Sequence, residues 1–211
     1  MNDAPISRRS WLKAASAVGL AGVTGLAGCQ GSSDTATGTL ATAVKDAPGD
    51  ISDFERCVVT IDGFWLKDST DDSTATATGD GVTEQDEDDV DQSDERTYHE
   101  YDQPQEADLV QLQDGATQLI DDREVEVGTY AFLQLDVSTV DGTLASGDEA
   151  GVGTPGNAPL QFKQEFDVRD GERTTFTADF TPVKRGQTGQ YLLQPVATGI
   201  DVSYADVTPS E

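Results

Sequence analysis

After its first 37 residues, the chain alternates apolar and polar side chains with a period of two. The clearest run is Gly128–Thr139, where Leu133 and Leu135 point to one side and Phe132 and Gln134 to the other. Because successive side chains of a β-strand lie on opposite faces, this alternation predicts strands with one face in a core. No segment after residue 29 has the period and caps of a helix. Similar alternating runs lie at residues 38–46, 56–67, 160–168, 174–180 and 190–198.

Turn residues separate these runs and indicate the fold class. The pair Asp170-Gly171 lies between Leu160–Val168 and Thr174–Phe180, which predicts a β-hairpin. Seven to nine short strands joined by turns predict an all-β chain that folds as an antiparallel β-sandwich. We therefore expect one β-sandwich domain over residues 38–205 and a short tail over residues 206–211.

The first 28 residues have the pattern of an export signal and are excluded from the fold. Ser7–Lys13 contains the pair Arg8 and Arg9 and resembles the twin-arginine export motif, with Trp11 where that motif usually has Phe. A weakly apolar stretch follows and ends in Leu26-Ala27-Gly28-Cys29, which resembles a lipobox. We expect Arg8 and Arg9 to direct export, and Cys29 to carry lipid after cleavage.

Lipid on Cys29 would anchor the exported chain to the outer face of the cell membrane. The membrane, reached through this lipid, is therefore one expected partner. Residues 29–37 are small and polar after the cysteine, which is typical of a flexible tether. No run of about 18 apolar residues occurs, so no membrane-spanning helix is expected. With Cys29 lipidated, Cys57 is the one free cysteine of the mature sequence, and it has no partner for an intramolecular disulfide.

Acidic residues outnumber basic ones by 40 to 13, for a formal net charge of −27. After removal of residues 1–28 the chain has 39 acids and 10 bases, and 16 of these acids lie in residues 68–108. Binding to nucleic acid through basic patches is excluded, because phosphate neutralisation needs Lys and Arg. At this charge, self-repulsion destabilises a compact state unless salt screens it. The composition indicates a protein of a halophilic archaeon, and an acidic protein of a mesophile is the alternative.

The segment Asp68–Arg96 contains almost no apolar residues, so we expect a long disordered acidic insertion. Its acidic centre suggests calcium, but the Gly and Glu positions that an EF-hand loop requires are not filled. No defined metal site and no cofactor are therefore expected. The weak candidates for metal binding are Asp86, Glu87, Asp88, Asp89 and Asp91.

Few residues offer catalytic chemistry. The single histidine, His99, lies beside the acidic insertion, and Cys57 lies in a strand-like run where a buried thiol is expected. A nucleophile paired with a base cannot be identified, so no catalytic residue is assigned and we expect a protein that is not an enzyme. Tyr130, Phe132 and Tyr191 offer one alternative site, an exposed aromatic patch for contact with sugar or protein.

Several separated motifs resemble one protein family. The first motifs are Gly38-Thr39-Leu40, Asp46-Ala47-Pro48-Gly49-Asp50, Val110-Gln111-Leu112 and Gly128-Thr129-Tyr130, and the later ones lie at residues 171–180 and 189–196. In this order they resemble the lipoprotein family known as domain of unknown function 4382, over about residues 38–198. The resemblance implies an exported lipoprotein with an immunoglobulin-like or transthyretin-like β-sandwich. It implies no activity and no site residues.

Three functions remain open at this point. We expect a non-catalytic, lipid-anchored module at the cell surface that binds an unknown surface protein or glycan, or otherwise interacts with the envelope. The alternative is a surface protein that sequesters cations through the acidic residues 68–108. The third is a hydrolase whose site the sequence does not reveal.

Overall fold

The alternating runs form β-strands in the computed structural model, which describes residues 35–69 and 84–206. The predicted all-β class is therefore confirmed. Within the described residues the helices are short 3₁₀ turns, and none is long and apolar enough to cross a membrane. The strands are β1 (Thr37–Lys45), β2 (Phe54–Asp68), β3 (Arg96–Asp108), β4 (Gln118–Glu126), β5 (Gly128–Leu144), β6 (Glu149–Gly153), β7 (Leu160–Phe162), β8 (Phe166–Val168), β9 (Glu172–Lys184), β10 (Tyr191–Pro195) and β11 (Asp201–Asp206).

All eleven strands belong to one sheet, whose main path is β3-β2-β5-β6-β10-β9-β1-β4. Off this path, β7 and β8 pair with β5, and β11 pairs with β9. The end strands β3 and β4 approach each other. Gln118 Nε2 donates to the Glu106 carbonyl at 2.7 Å, and Arg123 Nη1 donates to the Glu100 carbonyl at 2.9 Å. The sheet is therefore nearly closed into a barrel.

The expectation of purely antiparallel strands is wrong for two pairs. β1 runs parallel to β9, from Thr39 opposite Arg173 to Lys45 opposite Asp179, and β10 runs parallel to β6. The other pairs are antiparallel. Parallel neighbours require long connections, and most of the domain separates β1 from β9 in the chain. Alternation along a strand gives its faces but not the direction of its neighbour.

The predicted hairpin at Asp170-Gly171 has the expected turn but the wrong pairing. Glu172 N donates to the Arg169 carbonyl at 3.2 Å, and Gly171 has a positive φ of 68°. However, β8 before the turn pairs with β5, whereas β9 after it pairs with β1, β10 and β11. The turn therefore carries the chain from one part of the sheet to another.

Phenylalanine side chains from different parts of the sheet meet in the core. Phe162 of β7 and Phe166 of β8 contact the β9 residues Phe176 and Phe180, with ring centroids 5.0 to 6.4 Å apart. All four residues are at most 2 % exposed. The inward face predicted for β2 is also buried, at Cys57, Val59 and Ile61.

The acidic insertion is packed against the sheet over its second half. Val90 and Gln85 are buried, and the Asp91 carbonyl accepts a hydrogen bond of 2.8 Å from Gln134 Nε2 of β5. The expectation of disorder through Arg96 is therefore wrong for residues 84–95. The prediction from composition was wrong because buried amides, rather than apolar side chains, bind this segment to the sheet. Residues 70–83 of the insertion lie outside the described residues.

Replacement of Leu133 by Ala should destabilise the fold strongly, because this fully buried β5 side chain leaves a cavity in the core. We expect the free energy of unfolding to fall by about 2–5 kcal/mol, measured by urea denaturation at constant multimolar salt. The matched control is Leu119→Ala on β4, where the side chain is 53 % exposed. The control should change stability by less than about 0.5 kcal/mol, and equal effects of the two substitutions would contradict the assigned core.

Candidate functional site

Four buried glutamines fix the insertion to the sheet. Gln85 belongs to the insertion, Gln134 to β5, Gln161 to β7 and Gln194 to β10, and each is at most 5 % exposed. We call these four residues the glutamine cluster. A buried amide without partners costs free energy, so the contacts of this cluster decide whether the arrangement is stable.

Gln85 is bound from two sides by reciprocal amide contacts. Its Nε2 donates to the Gln161 carbonyl at 3.0 Å, and Gln161 N donates to Gln85 Oε1 at 3.1 Å. On the other side Gln85 N donates to Gln194 Oε1 at 2.8 Å, and Gln194 Nε2 lies 3.5 Å from the Gln85 carbonyl. The insertion is thus joined to β7 and β10 by hydrogen bonds between side-chain amides and backbone groups, and not by backbone-to-backbone strand pairing.

The rest of the glutamine cluster extends this network across β5. Gln161 Oε1 accepts from Asp91 N at 2.7 Å and from Gln134 Nε2 at 3.0 Å. Gln134 Oε1 accepts from Arg96 Nη1 at 2.8 Å. In the described part of the chain, none of the four side-chain amides has a buried atom without a partner. The insertion is therefore held by a satisfied polar network.

An ion pair fixes the end of the packed insertion. Lys67 Nζ lies 2.7 Å from Asp91 Oδ2 and 3.1 Å from Glu95 Oε2, and Ser93 N donates to Asp91 Oδ1 at 2.8 Å. Burial acts to raise the pKa of Asp91, but the hydrogen bonds from Lys67 and Ser93 outweigh it and hold this pKa at about 2. Asp91 is therefore charged across the physiological pH range.

Two adjoining clefts border the packed insertion, and together we call them the insertion cleft. Their volumes are about 250 and 350 Å³, and they share Asp89, Gln161 and Lys163. The first has an apolar side formed by Phe162, Pro195, Ala197 and Ile200. The polar groups of both are carboxylates, glutamine amides and ammonium groups, from Glu84, Gln85, Asp88, Asp89, Asp91, Gln161, Lys67 and Lys163.

The acidic candidates for metal binding have other contacts. Asp86 and Asp89 cap one 3₁₀ turn reciprocally, with Asp86 N donating to Asp89 Oδ2 at 3.3 Å. Asp88 is exposed, Glu87 lies against Gly156, and Asp91 pairs with Lys67. Within residues 35–69 and 84–206, no three acidic, histidine or cysteine side chains are placed to hold a metal ion.

The two side chains that the sequence offers for nucleophilic catalysis are both poorly suited to it. His99 stacks on Phe64 with ring centroids 4.9 Å apart, and burial lowers its pKa. Cys57 is fully buried, and burial followed by the nearby Asp108 carboxylate raises its thiol pKa to about 12. A thiolate therefore does not form near neutral pH. Arg8, Arg9 and Cys29 lie outside the described residues.

The alternative of an exposed aromatic patch at Tyr130, Phe132 and Tyr191 is wrong, because all three are at most 6 % exposed. Their rings lie on buried faces of their strands. The partly exposed aromatic pair is instead Trp65 and Tyr98 on β2 and β3, with ring centroids 4.3 Å apart.

The sequence carries a signal for the glutamine cluster that its alternation did not reveal. Three of the four glutamines lie in or next to apolar runs of the sequence. Gln134 lies in Leu133–Leu135, Gln161 lies in Leu160–Phe162, and Gln194 follows Leu193. A buried amide in such a run requires partners. The sequence does not reveal that Gln85 supplies them, since Gln85 lies 76 and 109 positions away from its partners.

Comparisons with known proteins add one finding. A family model described as "Domain of unknown function (DUF4382)" matches residues 37–195. The match spans β1 to β10 and includes the whole glutamine cluster, whereas β11 follows it. No curated protein and no solved structure matches the chain.

Replacement of Gln85 by Ala should open the packed insertion, because Gln161 N loses its acceptor and becomes an unpaired buried donor. We expect a loss of about 1–3 kcal/mol in unfolding free energy. We also expect faster hydrogen exchange at the Asp91 amide, because the segment should open locally. The control Gln92→Ala changes an exposed side chain of the same segment and should leave both quantities unchanged. Unaltered exchange at Asp91 in the Gln85 variant would contradict the role of the cluster.

Proposed function

The chain belongs to the DUF4382 family, and from its own residues we propose a non-catalytic, lipid-anchored module that binds a glycan of the cell envelope in the insertion cleft. The observation that carries the proposal is the cleft itself. It places amides, carboxylates and ammonium groups beside an apolar surface.

The chemistry of the cleft suits a neutral, polyhydroxylated ligand. A sugar hydroxyl both donates and accepts hydrogen bonds, so it can accept from the Lys163 ammonium and donate to the exposed carboxylates of Glu84 and Asp88. The half-buried apolar side chains of Ala197 and Ile200 can accept the C–H face of a sugar ring. Lys163 makes no ion pair with any described residue, which leaves its ammonium group for a ligand.

Three observations favour glycan binding over the other functions considered. The acids of residues 84–95 are dispersed or engaged in capping and ion pairing, which argues against a defined cation store in this part of the insertion. The buried Cys57 thiol and the stacked His99 ring are poor groups for a hydrolase. A cleft in which polar groups converge beside apolar side chains is instead typical of a binding site.

The proposed location rests on the N-terminal sequence. Arg8 and Arg9 would direct export, and Cys29 would carry the lipid that holds the domain at the outer face of the membrane. Residue 37 begins the first strand, so a tether of at most about 28 Å separates domain and lipid. A glycan of the envelope is within reach of a module held there.

We further propose that the nearly closed sheet is a β-sandwich. Its two layers would be β3-β2-β5 with β6, β7 and β8, and β10-β9-β1-β4 with β11. Two phenylalanines of the first group contact two of the second across the core: Phe162 and Phe166 meet Phe176 and Phe180. The strands that carry them, β7 and β8 in the first group and β9 in the second, do not pair with each other. Packing of two inner faces through such side chains is the defining feature of a sandwich.

The proposed habitat is a medium of multimolar salt. The proposed mature sequence has ten bases for 39 acids, and six of these bases make ion pairs with acids, so most of the carboxylates have no basic partner. At 1 M salt the Debye length falls to about 3 Å, which removes most repulsion between exposed carboxylates. A halophilic archaeon is the source that this charge distribution supports best.

Replacement of Cys29 by Ser should release the protein from the membrane, because Ser lacks the thiol that accepts lipid. In cells of the native type, we expect the wild-type chain in the membrane fraction and the variant in the soluble extracellular fraction, measured by immunoblot. Cys57→Ser is the control, since its buried side chain plays no part in anchoring. Membrane retention of the Cys29 variant equal to that of the wild type would overturn the anchor.

Replacement of Lys163 by Ala should weaken glycan binding, because its ammonium group lines both parts of the insertion cleft and makes no ion pair with a described residue. Calorimetric titration with polysaccharide released from the native envelope, at native salinity, should give about a ten- to hundredfold higher Kd, as expected for a hydrogen bond to a charged group. Arg56→Ala removes one exposed positive charge of β2 and should leave Kd unchanged. Equal loss of binding in both variants, or no binding by the wild type, would contradict the assignment.

A further inference from the structure

Two buried carboxyl groups lie outside the insertion cleft and have no place in the proposed binding. Asp46 follows the end of β1 and Asp179 lies in β9, and they are 6 % and 4 % exposed. The two carboxylates are close enough for Asp179 to raise the pKa of Asp46. Thr181, two residues beyond Asp179 on the same strand, is fully buried. Its hydroxyl lies near enough to Asp46 to act to lower the pKa of that carboxyl, but it does not meet the geometry of a hydrogen bond.

Three oxygens of this group have no hydrogen-bond partner within the described part of the chain. They are Asp46 Oδ1, Asp179 Oδ1 and Thr181 Oγ1. Each belongs to a residue that is more than nine-tenths buried. A buried polar atom without a partner is costly, and a buried charge without one costs far more. The three oxygens therefore point to a missing partner of positive charge.

The charges around Asp46 and Asp179 show how much positive charge is missing. Lys45 Nζ lies 3.5 Å from Asp179 Oδ2 and compensates one of the two carboxylates. The other titratable groups that the structure places near Asp46 include Cys57 and Asp114, and neither adds positive charge. Cys57 has a raised thiol pKa and is neutral, and Asp108 is a further acid beside Cys57. Among the residues that the structure describes, one negative charge of this group remains uncompensated.

We propose that Asp46, Asp179 and Thr181 form a buried site for one monovalent cation, Na⁺ or K⁺. Carboxylate and hydroxyl oxygens are hard ligands, which suit such ions, and a single positive charge balances the group. A calcium ion would bring two positive charges to a group that lacks one, and it would meet the ammonium of Lys45. Asp46 also lines a cavity of about 430 Å³ with Pro48, Ile51, Gln113 and Asp114, which reaches the Asp46 side of the group.

A proton is the competing occupant. Burial raises the pKa of Asp46 to about 7 and that of Asp179 to about 6. A carboxyl whose pKa is raised by folding stabilises the fold below its unfolded pKa, and this contribution is lost as pH rises through the folded pKa. Without a suitable cation, stability should therefore fall from about pH 4 to above pH 7, and the cation should restore it at pH 8.

The test measures urea unfolding of residues 29–211 at pH 8 in 2 M NaCl, 2 M KCl or 2 M choline chloride, so that ionic strength is constant. Choline is too large for a site between two strands. For the wild type, we expect the unfolding equilibrium constant to be about tenfold smaller in the better of the two small cations than in choline, as for a ligand at ten times its Kd. The comparison of NaCl with KCl identifies the ion.

Asp46→Asn separates the site from general salt effects, because it keeps the shape of the side chain and removes the uncompensated charge. The difference between small cation and choline should disappear in this variant and persist in Asp141→Asn, which alters an exposed acid of β5. An equal response of wild type and Asp46→Asn would overturn the site and leave water or a proton as the partner of the orphan oxygens.

A second measurement uses only the wild-type protein, so it does not require that a variant folds. Crystals of the wild type grown in rubidium chloride should show an anomalous difference peak bounded by the side-chain oxygens of Asp46, Asp179 and Thr181. Rubidium is the stand-in for potassium. If sodium is the preferred ion in the unfolding series, the peak should vanish on transfer to sodium chloride. A map without a peak in rubidium, together with equal unfolding in the three salts, would overturn the proposal.

Discussion

The hydrogen-bond ladder of β5 is the element on which the other strands depend. β2 pairs with one edge of this 17-residue strand along nearly its whole length, whereas β8, β7 and β6 pair with successive parts of the other edge. Both backbone edges are therefore satisfied within the sheet. Through β6 the ladder continues to β10 and β9, and from there to β1 and β4. A strand in this position must also cover both of its faces, and that requirement shapes the rest of the molecule.

The outer face of β5 explains why a segment of unfavourable composition is packed. Gln134 is fully buried there, and its amide needs both a donor and an acceptor. Arg96 and the Asp91 carbonyl supply them, and Gln161 links the same amide to Gln85. The free energy of ordering residues 84–95 is thus offset by hydrogen bonds inside a low-dielectric site, where each bond is stronger than in water. Removal of the insertion would expose polar groups that the sheet alone cannot satisfy.

Local information in the sequence is sufficient for the strands and for the faces that enter the core. Cys57, Val59 and Ile61 alternate with polar residues and are buried, as predicted. The choice of strand partner is a different matter, because the alternation in β8 does not distinguish β5, with which it pairs, from β9, with which the turn predicted a hairpin. The glutamine cluster depends on contacts 76 and 109 positions apart, which no window of sequence contains. The alternating pattern therefore predicts the fold class and the core residues, whereas the insertion cleft depends on polar contacts between residues far apart in the sequence.

The acidity of the chain poses two electrostatic problems that need different solutions. Exposed carboxylates repel one another through water, and bulk salt shortens that interaction to a few ångströms. Asp46 and Asp179 are more than nine-tenths buried, so bulk salt screens them far less. Their position next to each other between β1 and β9 can be stable only if a specific positive charge or a proton resides there. Lys45 supplies one such charge from the neighbouring strand position, opposite Asp179 in the parallel register. The parallel pairing of β1 with β9, which the alternation did not predict, is thus also what brings the buried charges together.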